Sequence, residues 1–265
     1  MPQNDRGEIA NVPRTILMLA GFAALIYVAL CLALFLAQRS FIYFPQPKAA
    51  SDNSPALVLS VEGERILVNV RQRPGTQAVI YFGGNAEAVS YSLPTLAEAF
   101  PDRSVFAMNY RGYGGSTGKP SEATLIGDAL ALFDRVHAEH SQIIVIGRSL
   151  GSGVAVHVAS ERPAERLVLI TPYDSLITIA AGQFGFFPLR RLMLDKFESW
   201  RYAAKITIPT RLIAAQNDEV IPLSSTEALY KHFPPSLASL TVIPAVGHNT
   251  LSESPEYIRL LRGAQ

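Results

Sequence analysis

Three residues far apart in the chain have the types and the order that acyl transfer to a hydroxyl requires. Ser149 lies in "IVIGRSLGSG" (144 to 153), Asp218 in "RLIAAQNDEVIP" (211 to 222) and His248 in "LTVIPAVGHNTL" (240 to 251). A serine hydroxyl is a poor nucleophile at its free pKa; a histidine oriented by a carboxylate can take its proton as attack begins. The pattern Gly147-x-Ser149-x-Gly151 meets a second need. A serine held on a sharp strand-to-helix turn crowds the residues two positions either side, and glycine there removes the β-carbons that would clash. The N–H of Leu150, opening the next helix, would face the oxygen of a tetrahedral intermediate. A second donor is expected in "AVIYFGGNAE" (78 to 87), where Gly83 and Gly84 let the backbone come close. Asn85 is the preferred donor and Ala86 the alternative.

Each of these residues has a plainer reading beside the chemical one. Ser149 could be a small residue in a tight turn, and the glycines at 83 and 84 an ordinary β-turn. Asp174, in "TPYDSL" after another apolar run, rivals Asp218 as the acid, although an aspartate before "SLITIA" also suits a helix N-cap. Glu219 is the next alternative. Among the five histidines, only His248 follows Asp218 in a loop just after an apolar run. His137, His140 and His232 fall at or near helix ends and are expected to be exposed, and His157 is expected to pack within a helix.

The elements that must position these groups are legible as alternating short apolar runs and helix-length segments. Strands are expected at 57 to 61, 65 to 70, 77 to 82, 104 to 109, 142 to 147, 166 to 171, 209 to 214 and 238 to 243. The later runs are apolar throughout, as strands buried on both faces of a mostly parallel sheet are. Between them, 122 to 139 places Leu125, Ala129, Leu132, Phe133 and Val136 on one helical stripe, with Ser121 as N-cap. Residues 150 to 160 form a second helix, apolar nearly all round. Segment 174 to 203, with Phe184, Phe186, Phe187, Pro188 and Trp200, breaks the rhythm and reads as a small cap, or as aromatic packing on a crossover helix.

Ahead of this domain, residues 16 to 37 carry no charge over 22 positions, about 33 Å as a helix and enough to cross a bilayer core. The apolar region of a cleaved signal peptide is shorter, and Leu30 before Cys31 does not suit a lipoprotein site. The expected layout is a tail at 1 to 15, a transmembrane anchor at 16 to 37, a linker at 38 to 56 and the folded domain at 57 to 265. Lysines and arginines are nearly balanced across the span; the N-terminal amine tips the expectation toward a cytoplasmic N-terminus, with the domain outside the cytoplasm. A net charge of +1 without a basic block argues against a nucleic-acid partner. Neither a phosphate loop nor a dinucleotide fingerprint is present, and no residue cluster has metal-ligand spacing.

Taken together, "FGGNAE", "NYRGYGGSTGKPSE", "GRSLGSG", "TPYDSL", "QNDEVIP" and "GHN" resemble the α/β-hydrolase family over about residues 57 to 262. They are similar to its membrane-associated branch, which includes protein depalmitoylases and single-span bacterial hydrolases. The resemblance implies an α/β-hydrolase fold with an eight-stranded, mostly parallel sheet. It also implies Ser149 as nucleophile, Asp218 as acid, His248 as base, Asn85 and Leu150 as oxyanion donors, and "RGYGGSTG" as a loop beside the site. Many relatives have His-Gly where this chain has Gly83-Gly84. The expected function is a serine hydrolase of the bacterial inner membrane. It would cleave an ester or thioester of a small-molecule or lipid-like acyl substrate, or of an acylated protein, without metal or cofactor. A serine peptidase or amidase, or a non-catalytic anchored binding module, are the alternatives.

Overall fold

The computed structural model describes residues 8–49 and 56–263. Eight strands form one sheet: β1 (Ala56–Val61), β2 (Glu64–Arg71), β3 (Gln77–Phe82), β4 (Ser104–Met108), β5 (Gln142–Arg148), β6 (Arg166–Ile170), β7 (Thr210–Ala215) and β8 (Ala238–Ile243). Their order is β1-β2-β4-β3-β5-β6-β7-β8. The hairpin β1–β2 and the β2–β4 pair are antiparallel, and every pair from β4 to β8 is parallel. The sheet is therefore mixed, with β2 running against its neighbours. Each expected strand is present within a residue of its expected bounds. Strands β3, β5 and β6 are buried almost throughout because helices cover both faces, which is why their sequences are continuous apolar runs.

Nine α-helices accompany the sheet among the described residues: α1 (Glu8–Ile42), α2 (Leu93–Ala99), α3 (Glu122–His137), α4 (Leu150–Glu161), α5 (Leu176–Gln183), α6 (Leu189–Leu192), α7 (Trp200–Ala203), α8 (Leu223–Tyr230) and α9 (Tyr257–Arg262). Alternation along β3 divides the core. Ala78, Ile80 and Phe82 pack with residues of α3 and α4, and Val79 and Tyr81 pack with residues of α2 and α9. Ser121 caps α3: its Oγ accepts from Thr124 N at 3.2 Å, and Thr124 Oγ1 accepts from Ser121 N at 2.9 Å.

The segment expected as a cap, 174 to 203, contains α5, α6 and α7. Phe184 and Phe186 lie on its surface, 52% and 93% exposed, and so do not pack the core. Ser175, not Asp174, caps α5: its Oγ accepts from Thr178 N at 3.2 Å, because the helix starts one residue later than the aspartate reading requires. His140 corrects a second expectation. It is buried, its ring edge-on to Phe106 at 5.4 Å and its Nδ1 3.2 Å from Val136 O, because the chain turns inward after α3.

Helix α1 has a stretch long and apolar enough to cross a membrane, Arg14–Ile42, with mean hydropathy 2.6 and none of its most apolar window buried. The helix does not end at residue 37, and the chain after it is not a free linker. Gln38 and Tyr43 are buried, and Tyr43 Oη donates to Asp195 at 3.1 Å. Arg39 pairs with the same carboxylate at 2.9 Å. Gly114 N donates to Gln46 O at 2.8 Å, which ties the strap after α1 to the "RGYGGSTG" loop.

That loop is itself fixed by Arg111, whose guanidinium bonds Asp128 of α3 at 2.8 and 2.9 Å. The Asp128 side chain is fully buried, and burial pushes its pKa up even though Arg111 opposes the shift. Removing one partner leaves a buried charge uncompensated. Arg111→Met is expected to cost about 3 to 5 kcal/mol in chemical unfolding of the full chain in micelles, and the double variant with Asp128→Leu is expected to recover most of it.

Candidate active site

Ser149 occupies the junction between β5 and α4 with φ 48° and ψ −118°, a left-handed conformation that a residue with a side chain rarely adopts. The packing around it explains the tolerance. A β-carbon at Gly147 would lie 2.3 Å from Gly151 O, and one at Gly151 would lie 2.1 Å from Phe82 O, so strand, turn and helix approach closely only with glycine at both positions. Ser149 N donates to Ile170 O at 2.9 Å, which pins the turn to the neighbouring strand.

Asp218 and His248 come from the loops after β7 and β8, which the parallel register brings to the same edge of the sheet as the β5–α4 turn. His248 Nε2 is 3.1 Å from Ser149 Oγ. On the other side of the ring, Nδ1 is 2.8 Å from Asp218 Oδ2 and 3.0 Å from Oδ1. A carboxylate only accepts, so this geometry puts the ring proton on Nδ1 and leaves Nε2 to accept from the serine. Asp218 is held in turn by Val220 N at 2.9 Å and Ile221 N at 2.7 Å. All three side chains are nearly shielded from solvent.

The alternative acids are engaged elsewhere. Asp174 Oδ1 accepts from Ser225 Oγ at 2.6 Å, and Glu219 Oε2 accepts from the backbone N of His248 at 3.1 Å. His157 packs as expected, its ring centroid 4.1 Å from that of Tyr202, and burial pushes its pKa down. His137 and His232 are exposed.

The loop after β3 runs against the turn: a β-carbon at Gly84 would lie 3.6 Å from Ser149 Cβ. Gly84 N is already used, donating to Glu87 Oε2 at 2.6 Å, and Ala86 N faces Asn85 Oδ1 at 3.1 Å. The Asn85 N–H has no acceptor among the described residues. Leu150 N, as the first helical position, has no acceptor within the helix. Asn85 and Leu150 are the positions named as oxyanion donors in the sequence reading.

Two residues were invisible as functional positions in the sequence. Glu87 accepts from Tyr81 Oη at 2.8 Å, Ser92 Oγ at 2.6 Å, Gly84 N and Arg148, and so organises the loop. Arg148, inside the G-x-S-x-G pattern, reaches from Glu87 at 3.2 Å to His248 O at 3.4 Å. Burial acts against its charge, but Glu87 with Tyr81 and Tyr257 outweighs it, and the guanidinium pKa is raised. Their only sequence signal is position, three residues after Gly84 and one before Ser149, because each role depends on partners brought close by folding.

Two cavities meet at Ser149, Asn85 and Val220. One, of about 700 Å³, is lined by polar and apolar groups alike and is the more polar of the two, with Arg148, His248, Asn249 and Ser252 on its wall. The other, of about 420 Å³, is lined mostly by apolar groups. No cluster of three or more His, Cys, Asp or Glu side chains suited to a metal is found among the described residues. The arrangement places an imidazole nitrogen that can accept the hydroxyl proton 3.1 Å from Ser149 Oγ.

The sequence matches the serine aminopeptidase S33 family over residues 74–195, a stretch that contains Ser149 and ends before Asp218 and His248. An esterase of Pyrococcus furiosus superposes on 83% of this chain and 97% of its own with a TM-score of 0.66 at 17% identity. The fold is that of an α/β-hydrolase. An uncharacterized protein of Mycobacterium tuberculosis is 38% identical to this chain over 150 residues, 55% of this chain and 53% of that protein. The α/β hydrolase domain-containing protein aho-3 of Caenorhabditis elegans is 35% identical over 164 residues, 60% of this chain and 47% of its own. The chain thus spans about half the length of these curated relatives.

Gly151→Ala is expected to destabilise the full chain by about 1 to 3 kcal/mol and to abolish labelling of Ser149 by a fluorophosphonate, since a methyl group there meets backbone. Gly127→Ala on the exposed side of α3, where a β-carbon meets nothing within 4 Å, should instead raise stability by up to about 1 kcal/mol. For Glu87→Ala, which frees Gly84 N and Arg148, kcat on a soluble ester should fall on the order of 10²-fold, with KM changed far less.

Proposed function

We propose that this α/β-hydrolase is a membrane-anchored serine hydrolase that cleaves acyl esters or thioesters. The observation that supports the reading is the hydrogen-bonded chain Ser149 Oγ, His248 Nε2, His248 Nδ1, Asp218, set on a strained turn beside two backbone N–H groups without acceptors. His248 Nε2 takes the hydroxyl proton while Ser149 Oγ bonds to the carbonyl carbon. The N–H groups of Asn85 and Leu150 stabilise the oxyanion. As the bond to the alcohol or thiol breaks, the imidazolium gives its proton to that leaving group, and the acyl group stays on Ser149. Water attacks the acyl-enzyme with His248 as base, releasing the carboxylic acid and restoring the serine. Helix α1 supports the anchoring, and the domain is proposed to face away from the cytoplasm of a bacterial inner membrane.

The family description favours one second reading, an aminopeptidase. Such an enzyme needs a carboxylate to receive the substrate's amino terminus, and Glu87, the only acidic side chain among the described residues lining the polar cavity, already holds four partners. The ester reading is therefore preferred.

A fluorophosphonate should label the wild-type chain, not Ser149→Ala, and only weakly His248→Ala. Hydrolysis of p-nitrophenyl acetate should fall on the order of 10⁴-fold or more in Ser149→Ala and about 10³- to 10⁴-fold in Asp218→Asn. A folded wild-type protein that neither labels nor turns over any ester would overturn the proposal.

A further inference from the structure

The apolar cavity at Ser149 is not enclosed by the catalytic domain. Four of its wall residues, Leu34, Gln38, Phe41 and Ile42, belong to α1. The opposite wall comes from the cap, through Leu176, Ile179 and Met193. Helix α1 turns one side to the domain: Cys31, Leu34 and Ile42 are half-buried and Gln38 is buried, at spacings of three and four, whereas Leu32 and Leu36 are exposed. Leu34 lies inside the charge-free stretch, so the far end of the slot sits at hydrocarbon depth when α1 spans a bilayer.

Two sets of contacts hold the slot open between them. At the inner end, Asn85 Nδ2 donates to Ile42 O at 2.6 Å, and Asn85 Oδ1 accepts from Phe44 N at 3.0 Å, which bonds the end of the anchor to the loop beside Ser149. At the outer end, Tyr27 Oη donates to Phe186 O at 2.9 Å, and its ring stacks on Phe187 at 6.0 Å. Tyr27 and Ile42 are 15 residues apart, about 22 Å along the helix axis. The cap tip, with Phe184 and Phe186 exposed, therefore reaches along the anchor into the region the bilayer occupies. Between the two contacts, Gln38 bonds Leu192 O at 3.2 Å and Leu194 N at 2.7 Å and keeps helix and cap together.

We propose that the anchor helix is a wall of the acyl site: the acyl chain of a substrate still resident in the membrane enters the slot between α1 and the cap from the bilayer. Its carbonyl then reaches Ser149, and its leaving group projects into the polar cavity. This rests on the serine-hydrolase reading above. It makes α1 part of substrate selection as well as a tether, and it predicts that chain-length preference is set partly by residues of the span.

The test uses the full chain in nanodiscs. An alkyl fluorophosphonate with a diazirine at the chain end labels Ser149, and irradiation followed by peptide mapping finds what the chain touches. Crosslinks in residues 31 to 42 together with 176 to 193 are expected; crosslinks confined to the polar-cavity residues 249 to 252 would overturn the proposal. Kinetics on variants give a second readout. Burying a methylene is worth about fourfold in kcat/KM, so Leu34→Trp or Ile179→Trp should lower the ratio of p-nitrophenyl octanoate to acetate hydrolysis more than tenfold. Leu36→Trp, on the exposed side of the same helix, should leave the ratio unchanged. An unaltered ratio in both slot-filling variants, with Ser149 labelling intact, would overturn the anchor wall and leave the hydrolase reading standing. Loss of labelling in the wild-type chain would overturn both.

Discussion

The close approach of β5, α4 and the β3 loop around a single backbone turn is the constraint on which the site depends. Gly147 and Gly151 leave no room for a methyl group, and the helix that starts at Leu150 is pressed against Phe82 O and Gly83 O. That crowding holds Ser149 in a conformation costing of order 1 to 3 kcal/mol, which persists only because the surrounding sheet and helix over-determine it. The strain has a geometric return. It lifts the hydroxyl out of the line of the strand toward the histidine loop, and it leaves the first N–H of α4 without an acceptor beside it.

From that turn, two networks spread in opposite directions. On the polar side, Glu87 and Arg148 link the β3 loop, the turn and the backbone of His248, so three loops that are separate in sequence share one electrostatic support. On the apolar side, Asn85 links the same β3 loop to the last turn of α1. The backbone N–H of Asn85 is a proposed oxyanion donor, while its side chain grips α1. Any displacement of α1 is therefore transmitted to the loop after β3, beside Ser149.

The hydrophobic effect shapes this architecture at two scales. In the domain it drives the sheet to be covered on both faces, and the helices needed for that covering deliver the loops to one edge. At α1 it acts on a helix whose inner side faces the cap and whose outer side carries exposed apolar residues such as Leu32 and Leu36. The polar contacts of Gln38 and Arg39 with the cap then set how the two surfaces meet, because they are directional where the apolar contact is not.

Much of this was legible in the sequence by itself. Buried strands reveal themselves as continuous apolar runs, helices by their periodicity, and Ser149 by glycines whose only steric use is a tight turn; Asp218 and His248 followed from chain order and from loops that a parallel sheet places together. What depended on tertiary contact was not legible. Glu87 and Arg148 look like ordinary charged residues until their partners are adjacent, and His140 reads as a surface residue until the chain folds it under Phe106. The capping of α5 by Ser175 in place of Asp174 turned on a one-residue shift that propensity does not resolve. The stretch from 38 onward reads as a linker because nothing in its composition says what it touches. Only the folded chain decided that α1 lies against the cap, since that contact joins residues more than 150 positions apart through a surface neither segment encodes alone.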